Sequence, residues 1–287
     1  MTKLSIFTLV LLSWSVAGIS QNFLHGSYKR TEVSFEGSQL VISDFRRKKN
    51  KHGMVKAKYF AKDANDQFRD WQDNKQILFY CSGAFSESWD TDSPPLGICV
   101  DNGRIVNRNI DNRMDGLIIV YNGGAQAGGI AVVNIEKDKV NVNQGQRASY
   151  NLRNASERSG FLRWASSQDA TVFQTQLMYT KAHSFGFSDH NLTYGEKAER
   201  RFLAICMKNG VVHHVVIDHP NSDYLNRAAK RVCEYLSEEL DYEIYGLFNL
   251  DTGGKNIMKA FDEDGNQLAN GPEDVSIATN LLVYYVE

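Results

Sequence analysis

The pairs Asn102-Gly103, Asn209-Gly210 and Asp264-Gly265 punctuate this chain between short β-branched and aromatic runs. Asn-Gly tolerates the positive φ that a type I′ turn needs at both central residues, and that turn closes a two-residue hairpin. The first pair predicts a hairpin joining residues 98–100 to 105–107, and the second joins 202–207 to 211–217. Hairpins pair strands antiparallel, which argues against a doubly wound parallel sheet. Further strands are expected at 77–80, 116–121 and 129–135, bounded by Gly, Asn, Asp or Pro. One helix is written clearly: Leu225, Ala228, Ala229, Val232, Leu236 and Leu240 recur at helical spacing, with Asn221 or Ser222 as its cap. Glu238, Glu239 and Asp241 oppose the macrodipole at its end, so another group should hold that terminus. A weaker helix is expected over 156–167, and a strand over 243–250. The fold class is α+β: a largely antiparallel or mixed β-sheet core with a few helices.

The chain has 287 residues. Lys3, an apolar run over 4–16 and the small residues Ala17, Gly18 and Ser20 have the anatomy of a secretory signal, assigned to 1–20. The run is shorter than the ~18 apolar residues a membrane span needs. The expectation is a secreted, periplasmic or cell-surface protein with no integral membrane segment after signal removal. Residues 21–65 are read as a small N-terminal lobe or strand extension, and 66–287 as the main domain. Hydrophobic residues at 42% allow a substantial core, and a net charge of −2 gives no reason to expect a nucleic-acid partner. The basic run over 46–51 reads as a solvated loop. Cys81, Cys99, Cys206 and Cys233 each sit in or beside apolar stretches, which favours free core thiols over disulfides.

Several features fail a geometric test. The Gly-rich stretch 123–129 lacks the spacing of a nucleotide loop, and a strand follows where a phosphate needs a helix N-terminus. It reads as a flexible turn. His213 and His214 are neighbours on a strand, point to opposite faces and cannot share a metal; one should face the core and the other solvent. The most informative stretch is Asn249-Leu250-Asp251-Thr252-Gly253-Gly254. It puts a carboxylate at a strand end beside glycines, where a ligand meets backbone at close range. The same spacing also suits a turn in which Asp251 caps backbone amides.

That stretch resembles the Asn-Leu-Asp-Gly-Gly-Gly-Ser motif of the phosphodiester glycosidase family, departing from it at Thr252. The resemblance covers about residues 77–287. Arg201, with Arg200 as fallback, matches an Arg that opens a strand before the family's helix. Gln174-Thr175-Gln176-Leu177 is similar in its first half to a Gln-Ser-Gly-Pro segment, and Ser82-Gly83-Ala84-Phe85 to an Asn-Gly-Gly-Phe-Phe strand end. The resemblance implies an exported hydrolase cleaving the glycosidic bond of a sugar-1-phosphodiester. Arg201 would hold phosphate and Asp251 would act at the anomeric side. Asn249, Gln174 and Ser82 would orient sugar hydroxyls, and Gly253 and Gly254 would offer backbone N–H groups to the phosphate. Trp89, in a polar loop, would stack on the sugar. Ser82 and Thr252 leave a second reading open, a non-catalytic glycan- or cell-envelope-binding protein on the same scaffold. The partner is then a sugar phosphodiester or an envelope glycan; the cofactor is unassigned, and no metal is assigned to the site.

Overall fold

The computed structural model describes residues 19–23, 26–88, 90–144, 146–182 and 192–287. Residues 1–18 of the signal assignment over 1–20, and Trp89, lie outside the described residues, while Ile19 and Ser20 pair with Glu32 and Thr31. The remainder is α+β, with two large sheets packed face to face. Every pair of named strands is antiparallel.

The larger sheet begins with β1 (Ile19–Phe23), β2 (Tyr28–Phe35) and β3 (Ser38–Arg46). In spatial order it continues through β14 (Val211–Tyr224), β13 (Lys197–Lys208), β15 (Glu243–Leu250) and β12 (Ala170–Thr180). β12 also pairs with β6 (Cys99–Asp101) and β8 (Gly116–Tyr121), which pair in turn with β7 (Arg104–Asn107) and β9 (Ile130–Asn134). β10 (Val140–Gln144) and β11 (Gln146–Tyr150) form a separate hairpin. The smaller sheet has β5 (Gln76–Cys81) beside β18 (Leu281–Val286), flanked by β4 (Lys56–Phe60) and β16 (Met258–Phe261), with β17 (Gln267–Asn270) beyond β16. Residues 21–65 are thus shared between the sheets: β2 and β3 extend the larger, while β4 is an edge of the smaller.

The predicted turns form as expected. Asn102 and Gly103 have φ of 46° and 78°, and Asn209 and Gly210 of 51° and 71°. The inner faces of the two sheets meet over stacked aromatic rings. Phe45 of β3 lies 4.9 Å from Tyr28 and 3.9 Å from Tyr284, and Tyr59 lies 4.1 Å from Phe173. Such pairs add about 0.5–1.5 kcal/mol each beyond area burial. The outer faces are covered by α1 (Ala64–Trp71) on the smaller sheet, and by α2 (Ala155–Ser167) and α3 (Leu225–Glu234) on the larger.

Three sequence readings need correction. The long helix does not start at Asn221 or Ser222. β14 runs on to Tyr224 past a bulge at Pro220, which has no N–H for the ladder, and the helix starts at Leu225. Asn221 instead accepts from the Gln39 amide, and Asp223 ties down Arg227 and Arg231. Second, neither His213 nor His214 faces solvent, because β14 is covered on both sides. His213 bonds Asp44 at 2.8 Å, and His214 packs against Tyr284 with its pKa held well below the ordinary value by burial. Third, the basic run is not wholly solvated. Arg47 donates to the carbonyls of Val55 and Ala127, fixing the Gly-rich turn that read as flexible. The acidic helix end is held as expected: Lys208 donates to the Leu240 carbonyl at 2.6 Å. All four cysteines are free thiols, three of them buried. Among the described residues no helix is long and apolar enough to cross a membrane.

Candidate active site

Two strand ends, one from each sheet, meet where the inner faces converge. β5 runs out into Ser82-Gly83-Ala84, and β15 into Asp251. The Asp251 amide donates to the Gly83 carbonyl at 2.9 Å, and the Ser82 amide to the Ile257 carbonyl at 3.1 Å. Asn280, just before β18, clasps the same turn. Its Oδ1 accepts from the amides of Gly83 (3.0 Å) and Ala84 (2.8 Å), and its Nδ2 donates back to the Ala84 carbonyl (2.9 Å). A Cβ on Gly83 would stand 2.6 Å from the Tyr59 ring, so only glycine lets the turn lie this close to the core.

Asp251 opens onto a cleft of 320 Å³, enough for a monosaccharide with a small substituent. Gly253, Gly254 and Lys255 line it on the same turn, Glu87 lines it from the β5 extension, and Arg113 and Met114 line it from the loop before β8. Burial raises the pKa of Asp251, against the opposing pull of the Gly253 amide, Arg201 and Lys255. The Gly253 amide donates to Asp251 Oδ1 at 2.9 Å, which fixes the carboxylate's orientation. Arg113 is paired with Asp111 and brings little net charge of its own.

The residues expected at the site fall into two groups. Asp251, Gly253 and Gly254 line the cleft. Asn249, Gln174, Ser82 and Arg201 lie behind it, and each has partners. Asn249 Nδ2 donates to Gln176 Oε1 at 2.8 Å across the β12–β15 pair. Gln174 is fully buried. Its Oε1 accepts from the amides of Ile98 and Asp111 at 3.1 Å each, and its Nε2 donates to the carbonyls of Asp111 (2.7 Å) and Met114 (2.5 Å). With all four bonding sites engaged it holds two loops of the cleft wall in place. A Cβ on Gly97, at φ 75°, would stand 2.1 Å from that Oε1. The Ser82 hydroxyl donates to the Lys255 carbonyl and accepts from the Ile257 amide at 3.2 Å. The Thr252 hydroxyl donates to the Glu199 carbonyl and does not line the cleft.

Arg201 sits on β13 opposite Leu250, one residue before the acid. Its Nε donates to Asp218 at 2.6 Å, Nη1 to the Ile257 carbonyl at 3.0 Å and Nη2 to Asn256 Oδ1 at 2.9 Å. Burial opposes its charge, yet Asp218, with Asp251 further off, raises its pKa. The guanidinium and the acid are therefore electrostatic neighbours, but Arg201 does not line the cleft.

The sequence reading missed Lys255, Gln176 and Asn280. Gln176 had a signal: two glutamines at i and i+2 share one face of an otherwise apolar strand. Lys255 follows the last glycine of the motif directly. Asn280 carries no local signal, because its partners are almost 200 residues away in the chain.

No protein-family model and no curated protein matches this chain. Solved structures do resemble it. The catalytic domain of zebrafish N-acetylglucosamine-1-phosphodiester alpha-N-acetylglucosaminidase, auto-inhibited by its pro-peptide, matches at a TM-score of 0.50 and 10% identity, over 96% of this chain and 85% of that one. A hypothetical protein from Synechocystis matches at a TM-score of 0.48 and 13% identity, over 91% of this chain. This chain spans 62% of that protein's length. At 10% identity the likeness to that catalytic domain is one of fold.

Proposed function

We propose that this protein is a hydrolase acting on a sugar-1-phosphodiester, with Asp251 as the group that acts at the anomeric carbon. The observation that carries the reading is a half-buried carboxylate with a raised pKa, fixed by the Gly253 amide and lining a sugar-sized cleft. An acid in a cleft whose pKa is shifted by burial, with a cation as a charge partner, is a functional-site candidate on physical grounds. The fold likeness to a catalytic domain named for N-acetylglucosamine-1-phosphodiester supports the substrate class.

A phosphodiester leaves as an already ionised phosphate ester, so the departing oxygen needs no proton donor. Cleavage of the C1–O bond sends the bonding electrons to that phosphate, and water adds to C1. Asp251 takes the proton of that water, the role of a general base poised by burial. Arg201 works from behind, where its positive charge pulls against the burial effect and favours the ionised acid. Gln174 and Ser82 act through the loops they hold.

The test is release of free N-acetylglucosamine from its methyl 1-phosphodiester. Asp251→Asn should lower the rate by at least ~10²-fold, the scale of general-base contributions. Retention of full rate by Asp251→Asn would remove the acid from the mechanism. Tight binding of the diester by the wild type with no turnover would favour the glycan-binding alternative.

A further inference from the structure

Lys255 is more than nine-tenths buried, and its Nζ has no hydrogen-bond partner among the described residues. Burying an ammonium without a partner is costly, and proteins generally avoid it by pairing the charge. Here two carboxylates are within electrostatic reach, Asp251 and Asp90, yet neither is bonded to it. The backbone around it is fixed, because the Lys255 carbonyl accepts from Ser82 and the next residue, Asn256, bonds Arg201. Lys255 is one of the residues that line the cleft with Asp251. Its three N–H donors thus stand beside the cleft with no acceptor bonded to them among the described residues.

We propose that Lys255 is the anion-binding and specificity-determining residue of the cleft, receiving a phosphoryl oxygen of the ligand while Asp251 faces its sugar carbon. The other cations nearby do not serve. Arg113 is paired with Asp111, and Arg201 is bonded to Asp218, Asn256 and Ile257 outside the cleft lining. A single ammonium also matches a single negative charge. Asp251, Glu87 and the nearby Asp90 would repel a second, so a diester should be held better than a monoester. The sugar part of this inference rests on the function proposed above; the anion part does not.

The experiment is calorimetric titration of the wild type, Lys255→Gln and Lys255→Arg with inorganic phosphate, methyl N-acetylglucosamine-1-phosphodiester and the uncharged methyl N-acetylglucosaminide, and of the wild type also with N-acetylglucosamine-1-phosphate. Thermal melts of each variant check folding. The expected result is a Kd at least tenfold weaker for both phosphate probes in Lys255→Gln, with the uncharged glycoside unaffected and substantial recovery in Lys255→Arg. The diester should bind more tightly than N-acetylglucosamine-1-phosphate, which separates the two phosphate sources. Equal phosphate affinity in wild type and a folded Lys255→Gln overturns the assignment, as does the absence of any phosphate binding by the wild type. The two proposals fail separately. Sugar release that persists with unchanged diester affinity in Lys255→Gln removes Lys255 alone. Lysine-dependent binding of inorganic phosphate with no sugar release removes the hydrolase alone.

Discussion

At the scale of single residues, Asp251 joins two properties that pull against each other. Burial raises its folded pKa above the ~4 of an exposed carboxylate, so the ionised form is disfavoured in the folded state. Its contribution to stability is therefore fully present below the unfolded pKa and is lost as pH rises through the folded one. Asp251→Asn should accordingly melt at a higher temperature than the wild type at pH 7, while the gap closes as pH falls below about 4. The same shift places the acidic limb of the wild-type pH–rate profile above the ordinary carboxylate range, because the base must be ionised. Calorimetric melts at pH 7 and below 4, with the rate profile, check both statements. Asp251 was legible in the sequence because a carboxylate after an apolar strand and before two glycines is a local pattern. The roles of Gln174 and Ser82 were not, because a side chain type says what it can bond but not whether a distant loop has already engaged it. Ile98, Asp111 and Met114 engage Gln174, and Lys255 and Ile257 engage Ser82.

Elements were read best where their signals are local. The hairpins at Asn102-Gly103 and Asn209-Gly210 needed only the turn chemistry of two residues. Helix α2 was expected at nearly its observed place, and its start shows why. Asn154 Oδ1 accepts from the amides of Ser156 (2.9 Å) and Glu157 (3.1 Å), while Glu157 reaches back to the Asn151 amide at 2.7 Å. Asn154→Ala should cost about 1 kcal/mol, read as a shift in the urea midpoint with the slope unchanged. The start of α3 was misplaced because two signals competed. Pro220, Asn221 and Ser222 read as a turn and cap. The pairing of β14 with β13, however, extends the strand to Tyr224, opposite Lys197. Tertiary pairing outweighed local propensity at that point.

For the whole molecule, stability and site share one seam. Asn280 links the end of the β18 strand to the turn that carries the Asp251 contact. Asn280→Ala would leave the Gly83 and Ala84 amides buried without acceptors, each costing about 1–3 kcal/mol. The expected outcome is a loss of about 2–5 kcal/mol in urea unfolding, with a weaker phosphodiester affinity in the fraction that remains folded. Full stability in this variant would show that the turn is held by other contacts. Antiparallel pairing was legible from the hairpin turns, and the α+β class from those turns together with the helical spacing after Leu225. The packing of one sheet on the other was not, since it rests on Phe45 and Tyr28 meeting Tyr284, which lies 239 residues beyond Phe45 in the chain.

The cleft draws on residues 85–88, 96, 113–114, 176 and 251–255, and Asn280 closes the turn behind it. No contiguous third of the polypeptide holds all of these groups. A partly synthesised or partly refolded chain therefore lacks the complete cleft. The proposed sugar release should return in a refolding time course only once β18 is seated between β4 and β5.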